Sequence, residues 1–162
     1  MMIRMWDAET GSAVGKPLQG HTNWVSSVAY SPNGCYIISG SFDMTIRMWD
    51  AGTGSAVGKP FEGHTGIVLS VAYSPDGRYI ISGASDMTIR MWDAETGSAI
   101  GEPLEGPIAA VWSVAYSPNG CYIISGSLDT TIRIWDAETQ SLVGKPLRGH
   151  TDMVASVAYS PC

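Results

Sequence analysis

The stretch of residues 20–50, which reads GHTNWVSSVAYSPNGCYIISGSFDMTIRMWD, decides the fold. Residues 25–30 form a β-rich run that stops at the turn SPNG of residues 31–34, where Pro fixes φ and Asn-Gly supplies a positive φ. Residues 36–40 are apolar on both faces, which is typical of a strand sandwiched between two layers. Residues 45–49 alternate between apolar and polar side chains and therefore predict a third strand.

A fourth, weaker strand is predicted at residues 56–60, after the turn DAGTG of residues 50–54. Its Lys59 and Pro60 suit the edge of a sheet, because an edge backbone that is left unpaired otherwise invites aggregation. The unit thus consists of four short strands, and a chain made of such units is all-β.

The same unit recurs along the chain with a period of 43 residues. Three independent markers share this period: the dipeptide Trp-Asp, the dipeptide Gly-His and the hexapeptide SVAYSP. Trp-Asp occurs at residues 6–7, 49–50, 92–93 and 135–136, Gly-His at 20–21, 63–64 and 149–150, and SVAYSP begins at Ser27, Ser70, Ser113 and Ser156. The units at residues 21–63 and 64–106 are identical at 32 of 43 positions, so the repeat is not a chance match.

Four strands in about 40–45 residues, together with the GH…WD signature, resemble a blade of a WD-repeat β-propeller. The resemblance covers essentially the whole chain. It implies an all-β WD-repeat β-propeller that forms a partial ring, with three complete four-stranded blades and two incomplete blade ends. Residues 70–106, SVAYSPDGRYIISGASDMTIRMWDAETGSAIGEPLEG, also resemble the near-identical repeats at the C-terminal end of fungal NACHT–WD-repeat receptors of the vegetative-incompatibility class.

We expect a single propeller array that is divided at the repeat boundaries, with fifteen strands in all. Propellers usually have 4–8 blades, so this array is short for a closed ring. Three outcomes stay open: a homo-oligomer whose copies complete a ring, a fragment of a longer receptor, and a strained small ring. The array spans residues 1–162, with a partial blade at 1–20 that holds third and fourth strands, complete blades at 21–63, 64–106 and 107–149, and a partial blade at 150–162 that holds one first strand.

The resemblance also implies a short buried polar network in each blade. In the first complete blade, Trp49 would donate its indole N–H to Ser39, which would bond to His21, and His21 would bond to Asp43. In the other two blades the corresponding residues are Trp92, Ser82, His64 and Asp86, and then Trp135, Ser125 and Asp129. Pro107 occupies the His position of the third blade, and we expect this blade to be the least stable of the three.

A Ser–His–Asp set could instead be a catalytic triad, but the repeat argues against this interpretation. The set recurs once per period and ends on a Trp, whereas catalysis needs one nucleophile beside an oxyanion site. Metal binding is disfavoured because His21, His64 and His150 fall one to a blade and do not cluster. The sequence therefore predicts no catalytic residue, no metal site and no cofactor.

Composition and charge exclude several other classes of protein. The chain of 162 residues carries a formal net charge of −6, which argues against a nucleic-acid partner, since such proteins present a basic face. No apolar run approaches the roughly 20 residues of a membrane span, and no secretory signal opens the chain. Three cysteines are too few for a disulfide framework, so we expect a cytoplasmic protein, with Cys162 as a terminal thiol.

Differences between the units gather at positions two, three and five residues after the His position and at the residue before the turn Asp. In a propeller blade these positions lie at one end, so we expect them to converge on one face around the central channel. Large aromatic side chains exposed together are typical of binding hot spots, while drift at tolerant loops is the alternative explanation. The candidate partner-binding residues are Asn23, Trp24, Phe42, Ile67, Leu69, Ser85, Ala110, Trp112, Leu128, Asp152 and Met153.

The function that the sequence predicts is a non-enzymatic protein-interaction scaffold that binds a protein or peptide partner on this face. The fungal resemblance narrows it to the ligand-sensing end of a non-self recognition receptor. Two alternatives stay open, namely a fragment of a longer propeller with no activity of its own and a propeller enzyme with an active site in the channel.

Overall fold

A computed structural model describes residues 1–161, and these residues form thirteen β-strands and no helix. The all-β fold built from propeller blades is confirmed. Cys162 lies outside the described residues. Within residues 1–161, no helix is long and apolar enough to cross a membrane.

The first sheet has two antiparallel strands, β1 (Met2–Trp6) and β2 (Ala13–Gln19). They occupy the positions of the third and fourth strands of a blade, as the repeat predicts. The first complete blade follows as a four-stranded antiparallel sheet in the order β3-β4-β5-β6. Its strands are β3 (Val25–Tyr30), β4 (Tyr36–Ser41), β5 (Ile46–Asp50) and β6 (Ala56–Phe61).

The second blade repeats this arrangement, and the third blade repeats most of it. In the second blade the sheet runs β7-β8-β9-β10, and in the third blade it runs β11-β12-β13. The second-blade strands are β7 (Val68–Tyr73), β8 (Tyr79–Ala84), β9 (Thr88–Asp93) and β10 (Ala99–Glu105). The third-blade strands are β11 (Val111–Tyr116), β12 (Tyr122–Ser127) and β13 (Ile132–Asp136).

The core lies between blades, where the first strand of one blade packs on the second strand of the blade before it. Val68 of β7 is fully buried against Gly40 of β4, and a Cβ at Gly40 would lie only 2.6 Å from Cγ1 of Val68. The same contact recurs between Val111 and Gly83. Glycine at this position therefore lets two sheets approach closely, which explains the pattern Ser-Gly in each second strand.

The predicted fourth strand of the third blade is wrong. Residues 140–148 form no continuous ladder with β13. They meet it at two isolated bridges, Ile132 with Leu147 and Trp135 with Leu142, and at the backbone bonds from Val143 N–H to the Ile134 carbonyl and from Asp136 N–H to the Ser141 carbonyl. In the first blade the residue equivalent to Leu147 is Phe61, which is buried and packs 5.9 Å from the ring of Trp92 in the next blade. Leu147 is 50% exposed, since no following blade covers it among the described residues, and this outermost segment is held less firmly.

The predicted first strand at residues 150–162 is also wrong for the part that is described. Residues 150–161 lie against the third blade: Val154 is buried, its N–H donates to the Ser127 carbonyl at 3.0 Å, and the Val157 N–H donates to Ser113 Oγ at 3.1 Å. Among residues 1–161 no strand pairs with this segment, and an extended segment without a ladder partner is not a β-strand. The strand count among the described residues is thus thirteen instead of fifteen, and the sheets do not close into a ring.

Candidate interaction face

A chain of three hydrogen bonds crosses the first blade. Trp49 Nε1 donates to Ser39 Oγ at 2.9 Å, His21 Nε2 lies 2.8 Å from the same oxygen, and His21 Nδ1 lies 2.8 Å from Asp43 Oδ2. Because Ser39 Oγ accepts the hydrogen bond from the indole N–H, its own hydroxyl can donate to Nε2, which leaves the imidazole proton on Nδ1, facing the carboxylate. The chain connects the segment before β3 to β4, to β5 and to the turn between them.

The second blade contains the same chain with nearly the same distances. The bond from Trp92 to Ser82 is 2.8 Å, that between His64 and Ser82 is 2.7 Å, and that between His64 and Asp86 is 2.8 Å. Both serines have zero solvent exposure, so neither hydroxyl can reach a substrate. Each Ser–His–Asp set ties the segment before the first strand to the second strand and to the turn that follows it.

The aspartates of these chains also hold the local turns. Asp43 accepts hydrogen bonds from the backbone N–H of Thr22 and from both the N–H and the hydroxyl of Thr45. Burial alone would raise the pKa of Asp43, but the hydrogen bonds from Thr45 and His21 outweigh it and lower the pKa from 3.8 to about 2. The same competition lowers the pKa of Asp86. Both carboxylates are therefore charged at neutral pH.

In the third blade, where Pro107 stands in the histidine's position, an arginine of the third strand contacts the aspartate instead. Trp135 still donates to Ser125 at 3.0 Å, but Asp129 now receives a hydrogen bond from Nη1 of Arg133 at 2.8 Å. Arg133 also donates to Thr131 Oγ1 at 2.6 Å. The arginine two residues before each Trp favours an ion pair at the sequence level, but the spacing does not identify its partner, which in the third blade is Asp129. That the third blade is the least stable stays a prediction.

The equivalent arginines of the other two blades make no such ion pair among residues 1–161. Asp43 and Asp86 are already occupied by histidine, and the Nε atoms of Arg47 and Arg90 are buried without a hydrogen-bond partner. The guanidinium of Arg47 instead lies close to Gly20, with Nη1 3.1 Å from where a Cβ would be. The contact of Arg133 thus depends on the absence of the imidazole.

The variable positions of each blade are joined in pairs by a backbone hydrogen bond. The bonds are Phe42 N–H to Trp24 carbonyl at 2.8 Å, Ser85 N–H to Ile67 carbonyl at 2.9 Å, and Leu128 N–H to Ala110 carbonyl at 2.9 Å. One partner precedes the first strand and the other opens the turn after the second strand, and antiparallel pairing brings these two places to the same end of the blade. We call this end the variable face, meaning the eleven candidate partner-binding residues given above.

The most exposed aromatic side chain of the variable face is that of Trp24, which is 62% exposed. Its ring centroid lies 5.8 Å from that of Phe42, which is half-buried, and the two rings are tilted by 44°. Asn23 caps the Trp24 backbone N–H through its side-chain oxygen at 2.8 Å. In the second blade Ser85 plays a similar part, since its hydroxyl accepts from the Ile67 N–H at 2.8 Å.

A β-bulge sets the fifth residue after the His position apart in each blade. The strand register shifts between Val68 and Ser70 in the second blade and between Val111 and Ser113 in the third. The bulged residues are Leu69, which is half-buried, and Trp112, which is 38% exposed. Bulges re-aim side chains and are common beside functional sites.

The last two candidate residues stand apart from the others. Asp152 and Met153 are exposed, and the Asp152 side chain caps the Met153 backbone N–H at 2.7 Å. No turn after a second strand is available in this incomplete blade, so the structure does not pair Met153 as it pairs Trp24. Among residues 1–161, no three His, Cys, Asp or Glu side chains come together in a group that could hold a metal ion.

Comparison with known families agrees with this geometry. The family model described as WD domain, G-beta repeat matches residues 12–50, 55–93 and 100–136, which together make up more than half of the chain. The chain belongs to the WD-repeat family. Each match runs from the fourth strand of one blade to the third strand of the next, and membership in this family supports a protein-interaction scaffold.

Two curated proteins are similar to single repeats of the chain. A protein named nuclear distribution protein PAC1, from Coccidioides posadasii, is 49% identical over 41 residues, which are 25% of this chain and 8% of that protein. A protein named periodic tryptophan protein 2 homolog, from Neurospora crassa, is 44% identical over 43 residues, which are 26% of this chain and 5% of that protein. The chain thus matches only a small part of the length of either relative.

Proposed function

We propose that this protein is a non-enzymatic interaction module that binds a protein or peptide partner on the variable face. The observation that carries the proposal is the paired arrangement of the positions at which the repeats differ. At these positions all three complete repeats carry different residues, and Trp24 with Phe42, Ile67 with Ser85 and Ala110 with Leu128 are neighbours that change together from blade to blade.

The side chains themselves support binding over drift. Trp24, Trp112 and Leu128 are all more than a third exposed, and Trp24 packs on a second aromatic ring. In many interfaces a few residues contribute most of the binding energy, and tryptophan is enriched among them. The turns between the third and fourth strands are also exposed but carry almost the same residues in every repeat, as drift alone would not produce.

We propose further that the module belongs to the ligand-sensing end of a fungal non-self recognition receptor of the NACHT–WD-repeat class. Support comes from the amino-acid sequence of residues 70–106, which resembles the repeats of such receptors, and from the fungal sources of both similar curated proteins. In such a receptor, near-identical blades would serve as a constant frame on which a few positions vary. Further blades, from the same polypeptide or from other copies of the chain, would complete the ring around the array of residues 1–162.

The experiment compares two variants, each with three exposed or half-buried apolar side chains replaced by Ala. The first replaces Trp24, Phe42 and Trp112 by Ala, and the second replaces three exposed apolar residues of the outer segments, Val14, Leu142 and Val143. A partner recovered by affinity capture is purified, and its Kd for each variant is measured by calorimetry. We expect the first variant to weaken binding at least about thirtyfold, since hot spots contribute 2 kcal/mol or more, and the second to leave the Kd unchanged. An unchanged Kd for the first variant would refute the site.

A further inference from the structure

Two cavities lie at the end of the blades opposite the variable face, and the 43-residue repeat relates them. The larger, of about 520 Å³, lies between the second and third blades, and the smaller, of about 340 Å³, lies between the first and second. Both are lined by the turns after first strands and after third strands, which antiparallel pairing places at this end. Residues that line the larger cavity recur 43 positions earlier in the smaller one, as Tyr79 and Tyr36 do.

The interior of each cavity is apolar and aromatic. Met91, Ile100, Tyr79 and Tyr116 line the larger cavity, and their counterparts Met48, Val57, Tyr36 and Tyr73 line the smaller. In the smaller cavity the Tyr73 hydroxyl donates to the sulfur of Met48 at 3.4 Å.

The Tyr116 hydroxyl of the larger cavity is different, because it is buried and has no hydrogen-bond partner among residues 1–161. Burial first, and the negative charge of Asp76 second, raise the pKa of Tyr116, so the phenol is neutral at physiological pH. Its oxygen therefore keeps unused hydrogen-bonding capacity beside an open cavity.

The rims of the two cavities are acidic. Asp76, in the turn between β7 and β8, lines both cavities, while Asp93 and Glu138 line the larger and Glu95 the smaller. None of the described lining residues is Lys or Arg. The exposed Arg78 follows Asp76 by two residues but does not line either cavity. A ligand at these positions thus meets apolar and aromatic walls with a negative rim.

We propose that the two cavities bind lysine or arginine side chains of a basic peptide segment. The long apolar stem of such a side chain can pack along the apolar wall around Met91, while its charged head stays at the rim. There the head meets the carboxylate of Asp76. Tyr79 and Tyr116 line the larger cavity with aromatic rings, and such rings attract a cation that lies over their faces. Because Asp76 lies at both cavities, one peptide with two basic residues can occupy both, and the second contact is then intramolecular.

A basic peptide explains these observations better than a small cation does. A metal ion needs converging oxygen, nitrogen or sulfur ligands, and no such group of three exists among the described residues. The site is independent of the variable face, since it lies at the other end of the blades and shares no residue with it. The net charge of −6 draws basic peptides to the protein in general, so the experiment has to separate the cavities from the overall charge.

The repeat itself supplies a variant that removes the charge without disturbing the turn. The equivalents of Asp76 in the first and third blades are Asn33 and Asn119, and each accepts a hydrogen bond from its turn serine at 2.7 Å. Asp76 makes the same bond to Ser74 at 2.6 Å. Asp76→Asn therefore preserves a geometry that the chain already uses twice.

The probe is a fluorescein-labelled ten-residue peptide of alternating Lys and Ala, compared with a peptide that has Gln in place of Lys. Fluorescence anisotropy at low salt measures the affinity, and NMR of the methionine methyl groups locates the site. We expect the Lys peptide alone to bind and to shift the methyl signals of Met91 and Met48. The signals of Met44 and Met87, which are exposed at the turns of the variable face, should stay in place.

Asp76→Asn should weaken binding of the Lys peptide about fivefold, since an exposed ion pair contributes up to about 1 kcal/mol. The matched control is Glu105→Gln, which changes the net charge equally at an exposed residue of β10 outside both cavities. Equal losses in the two variants, equal binding of the two peptides, or shifts confined to Met44 and Met87 would each overturn the proposal. The Trp24, Phe42 and Trp112 triple variant should bind the Lys peptide normally, which separates this site from the variable face.

Discussion

Nη1 of Arg133 donates to Oδ2 of Asp129 over 2.8 Å, and in the first two blades a histidine occupies the equivalent carboxylate oxygen at the same distance. The two side chains of this pair are 7% and 4% exposed. Arg133 therefore provides the third blade with the partner that Pro107 cannot supply. Asp129 also accepts hydrogen bonds from the Ile108 N–H and from the N–H and hydroxyl of Thr131, but these supply no positive charge to the buried carboxylate. The contact with Arg133 supplies it and so allows the repeat to lose its histidine.

Arg133→Met should lower the free energy of unfolding by about 3 kcal/mol, because it leaves the buried Asp129 without its charged partner. Met keeps an apolar stem of similar length. Arg47→Met in the first blade is the matched control and should cost no more than about 1 kcal/mol, since His21 already holds Asp43 there. Urea denaturation followed by tryptophan fluorescence measures both values, and equal losses would contradict the assignment.

Adding Pro107→His to Arg133→Met should recover about half of the lost stability. The imidazole would then stand where His21 and His64 stand, between the serine and the aspartate. Pro107→Ala in the same background removes the proline without supplying an imidazole and should recover nothing beyond a few tenths of a kcal/mol. The same urea titrations test the pair, and recovery by the alanine variant would mean that the proline alone was responsible.

Acid should destabilise the protein through the network aspartates. The pKa of Asp43 and of Asp129 falls from 3.8 to about 2 on folding, as burial, which raises it, is outweighed by hydrogen bonds from Thr45 and His21 and from Thr131 and Arg133. A pKa that is lower in the folded state contributes stability above about pH 4, which is lost as the pH falls toward 2. The free energy of unfolding measured from pH 7 to pH 2 should therefore decline mainly below pH 4. In Asp129→Asn the decline should be smaller, and a decline of the same size would exclude Asp129 as a contributor.

Truncation of two tryptophans of the first blade should affect different properties, namely stability for Trp49 and partner binding for Trp24. Trp49 is buried and bonded to Ser39, so Trp49→Ala should cost about 3–5 kcal/mol. Trp24 is largely exposed, so Trp24→Ala should change the unfolding free energy by no more than about 0.5 kcal/mol while weakening partner binding. Thermal unfolding by calorimetry distinguishes them. A large stability loss in Trp24→Ala would show that this side chain belongs to the core.

Gly83→Ala should destabilise the contact between the second and third blades. A Cβ there would lie 2.6 Å from Cγ1 of Val111 and 3.0 Å from Cγ1 of Val114, so one sheet must move. Overpacking of this kind costs about 1–3 kcal/mol. Gly52→Ala is the control, because the nearest atom to its Cβ, Oδ1 of Asp50, is 3.5 Å away. Hydrogen exchange of β8 and β11 amides should rise in the first variant only; unchanged exchange would mean that the sheets adapt without cost.

Much of the candidate site can be predicted from the sequence. The positions at which repeats differ identify Trp24 and Phe42 as a candidate pair, and the blade topology places both at one end. The sequence could not show that a backbone hydrogen bond of 2.8 Å joins them, or that Trp112 sits on a bulge. These features depend on strand register, which is a property of two segments and not of one. The cavities around Asp76 escaped the sequence analysis because they exist only where two blades meet.

The period of 43 residues, the four-strand unit and the identity of the network residues are readable from the amino-acid sequence, because they follow from turn residues, alternation and spacing within one repeat. Which of those units form sheets depends on contacts between distant segments. Residues 150–161 closely repeat the sequence of residues 21–32, which include β3, but form no strand, since a strand needs a neighbour to share its hydrogen bonds. Such contacts also determine that Arg133 pairs with Asp129 whereas Arg47 and Arg90 do not pair with their aspartates, since an identical side chain binds where a partner is free and packs elsewhere when histidine has taken it.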